Sequence, residues 1–313
     1  MKVLITGAGM IGCYLARELV QEGHEIAFFE QNPVEPYIDK VAGRERVKVI
    51  RGNVLNLPDI MQAIKESGAE RIVHSAALLG AAVNKAPYTG LMVNVNGTIN
   101  VLYAAHFTGV KRIVYTSTQG IYRVKTTGPI TEDQTIEGWS LYSSTKVAAE
   151  QIGLQYARAH KIDFISLRYA TTYGPSFSAQ GSIYGAVIEE LVTKAASGQS
   201  VVVQRTGPFL KQNELAYVKD VAHGTALAVK AEELKHNIYN IGSGEFVDLE
   251  DLAGGVRKLI PNANIKIEEP SGPMKKDPHV FPMDISRAKE DLGYKPMYGT
   301  PEALKDYLDA IRQ

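Results

Sequence analysis

Short runs of apolar, largely β-branched residues alternate with longer stretches of helical periodicity through the first half of the chain. Val3–Ile5, Glu25–Phe29, Val47–Ile50, Arg71–His74, Arg112–Tyr115 and Asp163–Leu167 read as strands. Between them the pattern predicts helices over Met10 to about Gln21, Pro58–Ser67, Asn94–Thr108 and Leu141–His160. Pro58 suits a first helical turn, where a missing N–H leaves no bond unmade. The strand runs carry little period-2 polarity, as expected of strands covered on both faces. Strands alternating with helices predict a parallel sheet between two helical layers. With Ile238–Ile241 as a further strand, the expectation is an α/β fold of the doubly wound Rossmann type, with about seven strands.

After Arg168 the character changes. Thr172 through Gly185 is rich in turn formers, and Pro, Gly and Lys crowd Pro270–Pro282, read as a loop. The expected division is a nucleotide-binding unit over residues 1–169, with 215–242 returning to it. Residues 170–214 and 243–313 form a smaller α/β lobe for the substrate. There is no internal repeat.

Charge and composition narrow the choice of partner. The chain of 313 residues carries 34 basic and 34 acidic groups, so electrostatics give no reason to expect nucleic acid or an anionic membrane. No apolar run reaches the ~18 residues of a membrane-spanning helix. The opening Met1–Gly7 reads as a first strand rather than a signal peptide, because Thr6 and Gly7 break any apolar core. A single cysteine, Cys13, cannot build an internal disulfide and fits a reducing, cytoplasmic setting. Cys13 reads as a small buried residue. The seven histidines are scattered without metal-ligand spacing, so no metal is expected. His74 reads as a packed polar residue. Trp139 either caps the pocket or covers a helix start.

Gly7, Gly9 and Gly12 form G-x-G-x-x-G between a predicted strand and a predicted helix, the context that gives this pattern meaning. The glycines let the backbone approach a pyrophosphate, and with Met10 and Ile11 the helix N-terminus offers it unpaired N–H groups. Glu30, followed by Gln31, ends the second strand about 20 residues on, where a carboxylate accepts bonds from adenosine ribose hydroxyls. It would repel a 2′-phosphate, so NAD is expected rather than NADP.

A Tyr followed four residues on by a Lys means little alone in a chain with 16 tyrosines. Tyr142 and Lys146 gain weight because they share a face of a predicted helix downstream of this loop and of Thr116-Ser117-Thr118. With Gly52-Asn53-Val54, His74-Ser75-Ala76-Ala77, Asn94-Val95-Asn96-Gly97-Thr98, Arg168-Tyr169, Tyr173-Gly174-Pro175, Tyr239-Asn240-Ile241-Gly242-Ser243-Gly244 and Leu292-Gly293-Tyr294-Lys295-Pro296 in order, the chain resembles the extended short-chain dehydrogenase/reductases, the NAD-dependent epimerase/dehydratase family, from about residue 2 to 310. The resemblance implies cofactor contacts at Asn53, where the family usually has Asp, and at Val54. It implies others at Ala76, Ala77, Leu78, Asn94, Thr116 and Tyr169. It also implies a homodimer joined through the helices Asn94–Thr108 and Leu141–His160.

On this resemblance Tyr142 is the general base that takes the proton of a secondary alcohol, and Lys146 holds the ribose and favours the phenolate. Thr118 orients the substrate oxygen, with Ser117 the competing candidate. The substrate contacts are Leu79, Thr118, Gln119 and Thr171. Family dehydratases carry an Asp-Glu pair where Gln119 and Gly120 stand, so dehydration is not expected. Nucleotide-sugar epimerases supply an Asn near Thr171 and arginines where Asn213 and Met274 or Lys275 fall, leaving Arg205, Lys275 and Lys276 as loose substitutes for a diphosphate clamp. The expectation is therefore an NAD-dependent dehydrogenase or reductase of a small hydroxylated substrate: a sugar, sugar acid or hydroxy amino acid. The runner-up is a nucleotide-sugar epimerase, and the third reading is a dinucleotide-binding sensor without turnover.

Overall fold

The computed structural model describes residues 1–123, 127–177, 183–205, 213–269 and 281–312. The first part of the chain runs β1 (Lys2–Thr6), α1 (Met10–Gln21), β2 (Glu25–Glu30), α2 (Glu35–Ala42), β3 (Val47–Arg51), α3 (Leu57–Ser67) and β4 (Arg71–His74). Two short helices, α4 (Gly80–Lys85) and α5 (Pro87–Leu91), lead through a π-helical turn at Met92–Asn96 into α6 (Gly97–Thr108). Next come β5 (Arg112–Thr118), α7 (Leu141–His160), β6 (Asp163–Tyr169), β7 (Thr171–Tyr173), α8 (Ile183–Ala196) and β8 (Val201–Gln204). The chain continues with β9 (Asn213–Tyr217), α9 (Val218–Lys230), β10 (Ile238–Ile241), β11 (Phe246–Val247), α10 (Leu249–Leu259), β12 (Ile265–Glu268), α11 (Ser286–Leu292) and α12 (Thr300–Arg312).

Seven strands form one sheet in the order β10-β6-β5-β4-β1-β2-β3, all parallel. This is the doubly wound Rossmann order, and the expected fold class is borne out. Side chains alternate across the sheet, as the pleat requires. Val3, Ile5, Phe28, Val73, Val114 and Ile165 join one apolar layer with α1 and α9. Leu4, Phe29, Ile72, Ile113 and Phe164 join the opposite layer with α3, α6 and α7. The chain returns to this sheet through α9 and β10. Residues 213–217 instead pair with β7 and β11 in a separate three-stranded sheet, and β12 pairs with β8.

The structure adds detail at two places. Helix α4 begins at Gly80, directly after the strand-end segment Ala76–Leu79. The helix expected over Asn94–Thr108 starts with a π turn, a feature common at functional sites. Most of the Pro270–Pro282 loop, with Met274, Lys275 and Lys276, lies outside the described residues. Among the described residues no helix is long and apolar enough to cross a membrane, and no group of three or more His, Cys, Asp or Glu could hold a metal ion.

One buried ion pair holds α7 to the sheet. Arg168 of β6 donates to both carboxylate oxygens of Glu150 on α7, at 2.6 and 3.2 Å, and Ser166 adds a 2.6 Å bond. The remaining guanidinium nitrogen donates to Tyr122 Oη and the Glu132 carbonyl, both at 2.9 Å. Tyr122 in turn donates to Asn240 of β10. Removing the cation strands a carboxylate with no exposed surface. Arg168→Met is expected to destabilise the protein by about 3–5 kcal/mol, measured by urea unfolding.

Candidate active site

The glycine loop closes on itself at two points and opens at a third. Gly7 has φ +91°, a conformation side chains rarely adopt, and its N–H donates to Phe29 O at 3.0 Å. A Cβ at Gly12 would lie 2.3 Å from the Gly7 carbonyl oxygen, so α1 can start this close to β1 only with glycine there. At Gly9 no atom lies within 4 Å of the Cβ position, which leaves that side of the loop open. Met10 and Ile11 are half-buried in the first turn of α1, whose leading N–H groups have no partner within the helix. Glu30 stands beside them, accepting from Ala8 N at 3.0 Å and Asn32 N at 2.9 Å. Gln31 is exposed next to it. An open glycine face, free helix N–H groups and an adjacent carboxylate fit the pyrophosphate and ribose of NAD.

The helix that carries the proposed base is set by its cap. Ser140 Oγ accepts from Ser143 N at 3.1 Å, and Ser143 Oγ accepts from Ser140 N at 2.9 Å. This reciprocal box starts α7 one residue before Tyr142 and puts Lys146 one turn further along the same face. Tyr142 is half-buried, and burial pushes its phenol up to about 12. Lys146 is buried and makes no hydrogen bond among the described residues; its ammonium sits 4.2 Å above the Tyr115 ring. Burial pulls its pKa down to about 7, against the opposing pull of Glu150. Ser117 Oγ and Tyr115 Oη are buried on the same face of β5 with no partner among the described residues. Thr118 is half-buried at the strand end, where its Oγ1 accepts from Gly120 N at 3.2 Å. Thr116 donates to His74 O at 3.2 Å. A buried ammonium and an orphaned hydroxyl beside a tyrosine are what a cofactor ribose and carboxamide would satisfy.

Asn94 is drawn into the framework. Its side-chain oxygen accepts from Leu78 N at 2.8 Å, and its nitrogen donates to Leu78 O at 2.9 Å and Thr145 Oγ1 at 3.0 Å. It therefore clamps the strand-end segment Ala76–Leu78 against α7, spending both amide N–H donors on the framework and keeping a second lone pair on Oδ1. Asn53 Oδ1 accepts from Leu55 N at 2.9 Å, closing a turn, and retains a second lone pair. Val54 is buried, with its carbonyl held by Asn100. Tyr169, the last residue of β6, is packed in the core with its hydroxyl 2.7 Å from Thr225 Oγ1. Cys13 is buried, its thiol pushed up to about 12 by burial and then by Glu30, which leaves it unreactive.

On the substrate side, Thr171 Oγ1 accepts from Gln119 Nε2 at 3.0 Å and Asn213 Nδ2 at 3.3 Å. These three neutral groups cluster just beyond the carboxyl ends of β5 and β6, where open α/β sheets bind ligands. Leu79 is exposed beside α4, and Trp139 is largely exposed before α7. Arg205 is ion-paired to Glu250 and Glu269. Sequence reasoning missed three contributors. Tyr115 seats Lys146, and Thr145 links Asn94 to α7. Glu214 accepts from Gly244 N and Met283 N at 2.9 and 2.7 Å, and burial pushes it up to about 7. Tyr115 in β5 and Thr145 in the first turns of α7 gave no local signal.

If the Lys146 ammonium holds ribose hydroxyls, NAD binding must raise its pKa from about 7. Binding then takes up a proton, and NAD affinity falls as pH rises above that value. Calorimetry in buffers of different ionisation enthalpy should show the uptake, and Lys146→Met should abolish it. In the free protein the sign is opposite. The unfolded lysine stays charged up to about pH 10, so between those values the unfolded state binds more protons and stability rises with pH.

The chain is 30% identical to UDP-glucuronic acid decarboxylase 6 of Arabidopsis thaliana, a match spanning 97% of this chain and 87% of that protein. It is 27% identical to UDP-glucose 4-epimerase of Corynebacterium glutamicum, over 95% of this chain and 91% of the other. Among solved structures, UDP-glucose 4-epimerase of Thermus thermophilus in complex with NAD superposes with a TM-score of 0.83 at 26% identity, covering 100% of this chain and 99% of that one. Residues 3–242 match the NAD dependent epimerase/dehydratase family, and the chain belongs to it, an extended short-chain dehydrogenase/reductase with NAD as its cofactor.

Proposed function

We propose that this protein oxidises a secondary alcohol carbon of a small hydroxylated substrate (a sugar, sugar acid or hydroxy amino acid), with Tyr142 as the base. The observation that carries this reading is the pairing of Tyr142 and Lys146 on one face of α7, with the Lys146 ammonium over the Tyr115 ring of β5, the strand that ends at Thr118. When bound, NAD supplies the acceptor for the hydride that leaves the carbinol carbon. Thr118 orients the substrate oxygen, and Ser117 is the alternative for that role. Tyr142 takes the hydroxyl proton and returns it when the reaction runs backwards. Burial alone keeps the phenol protonated at neutral pH, so the phenolate depends on positive charge, which a protonated Lys146 supplies. Gln119 and Gly120 follow Thr118 and provide no acid to expel water. The neutral Gln119–Thr171–Asn213 cluster supports a substrate held by hydroxyl hydrogen bonds rather than by its charge.

A second reading is epimerisation or decarboxylation of a UDP-sugar, favoured by the Arabidopsis, Corynebacterium and Thermus proteins. Both readings begin with the same oxidation and differ in the fate of the oxidised carbon. Net NADH accumulation with free sugars or sugar acids supports the first. Conversion of UDP-glucose or UDP-glucuronic acid without net NADH supports the second. NAD binding with no turnover across both panels points to a sensor. Tyr142→Phe is expected to lower turnover by about 10²–10⁴ while NAD affinity holds. Undiminished turnover in that variant would remove Tyr142 from the mechanism.

We further propose a homodimer, supported by Tyr103 and Phe107 on α6 and Leu141 on α7, which are large and exposed. Phe107→Glu should shift the species seen by light scattering toward monomer.

A further inference from the structure

His74 ends β4, has 1% of its surface exposed, and lies between the glycine-loop strand and the helices behind the site. Its Nδ1 is 2.7 Å from Thr6 Oγ1, one residue before Gly7, and its Nε2 is 3.0 Å from Thr98 Oγ1 on α6. The proton on each bond can be assigned. Thr98 spends its only hydroxyl proton on the Asn94 carbonyl, at 2.7 Å, so it must accept from His74 Nε2–H. A neutral ring protonated at Nε2 has a bare Nδ1, which accepts the Thr6 hydroxyl proton. Thr6 Oγ1 in turn accepts from Ala76 N at 3.3 Å. Beyond Asn94 the line continues through its side chain to Thr145 Oγ1, which donates to the Tyr142 carbonyl at 2.7 Å. Hydrogen bonds thus run, broken only by the covalent frame of Asn94, from the residue before Gly7 to the backbone of the proposed base.

The surroundings also favour a neutral ring. Tyr115 of β5 lies with its ring centroid 6.0 Å from that of His74, and Lys146 of α7 is the cation facing both. Burial, and secondarily Lys146, push His74 down to about 3. A second proton on the ring would break the Thr6 bond and set two cations against each other.

We propose that His74 is a positioning residue, a single-tautomer bridge through which the glycine-loop strand and the Asn94 clamp set the place of Tyr142. The proposal rests on the reading of Tyr142 as base, but its first test needs no substrate. Nitrogen-15 NMR of the full-length protein should show a protonated Nε2 and a bare Nδ1 from about pH 5 to about pH 8, the window in which an ordinary histidine changes charge. A ring that titrates in that window, or one protonated at Nδ1, overturns the proposal.

The second test uses NAD and whichever compound of the two panels is turned over fastest. His74→Phe should lower kcat by about tenfold or more, as small misplacements of a catalytic group do. KM and the NAD dissociation constant, measured by calorimetry, should change little. His74→Gln, whose amide can both donate and accept, should recover much of the loss. Thr145→Val, a smaller change that cuts the same line at its far end, should show the same kcat-only loss and decides the matter if His74→Phe does not fold. Unchanged kcat in a folded variant, or parallel losses in kcat, NAD binding and melting temperature, would show an ordinary structural histidine. If Tyr142→Phe keeps full activity, the functional reading fails instead, and the tautomer measurement still judges the bridge.

Discussion

The Glu150–Arg168 ion pair is the contact on which the site depends. It fixes the middle of α7 to β6 from inside the protein, where neither charge could remain alone. Tyr142 and Lys146 occupy the first turns of the same helix, so their depth and rotation follow from where Glu150 is held. Arg168 has further donors, and it spends them on Tyr122 and the Glu132 carbonyl. That ties the segment after β5 to the same anchor. The end of β5 supplies Thr118, and the end of β6 leads to Thr171, so one guanidinium aligns both sides of the crevice.

Against this rigid frame stands a cation that is poorly served. Lys146 is as buried as a core residue, yet among the described residues its ammonium has the face of Tyr115 and the more distant charge of Glu150 and no hydrogen bond. Cation–π attraction offsets part of the desolvation. The hydroxyls of Tyr115 and Ser117, without partners among the described residues, lie on the same strand face. Such unmet polar groups cost stability in the free protein and are met when a polar ligand arrives. The site is thus built for a molecule that brings hydroxyls of its own.

The family assignment and the neutral substrate-side cluster pull in different directions. The named relatives act on UDP-sugars, whereas Gln119, Thr171 and Asn213 bring only amides and a hydroxyl to one point. A diphosphate is best held by charge-assisted, often bidentate contacts. In the proposed chemistry the first oxidation is common to both possibilities, because it calls on the same three residues, Tyr142, Lys146 and Thr118.

Much of this was legible in the chain. The parallel sheet follows from apolar runs that lack alternation, and α7 was bounded correctly from its periodicity alone. Gly7, Gly9 and Gly12 announce the loop because backbone approach to an anion demands small residues at fixed spacing. Tyr142 and Lys146 share a face because a helix repeats every 3.6 residues. These are local rules, and a local rule can be read along a sequence. Tertiary structure alone decided that Asn94 serves as a clamp, that Tyr169 turns its hydroxyl to Thr225, that Tyr115 seats Lys146 and that His74 bridges Thr6 to Thr98. Each of those facts joins residues from different strands and helices. Their chemistry depends on which partner the fold brings within hydrogen-bonding distance, and that distance is written in no single stretch of the chain.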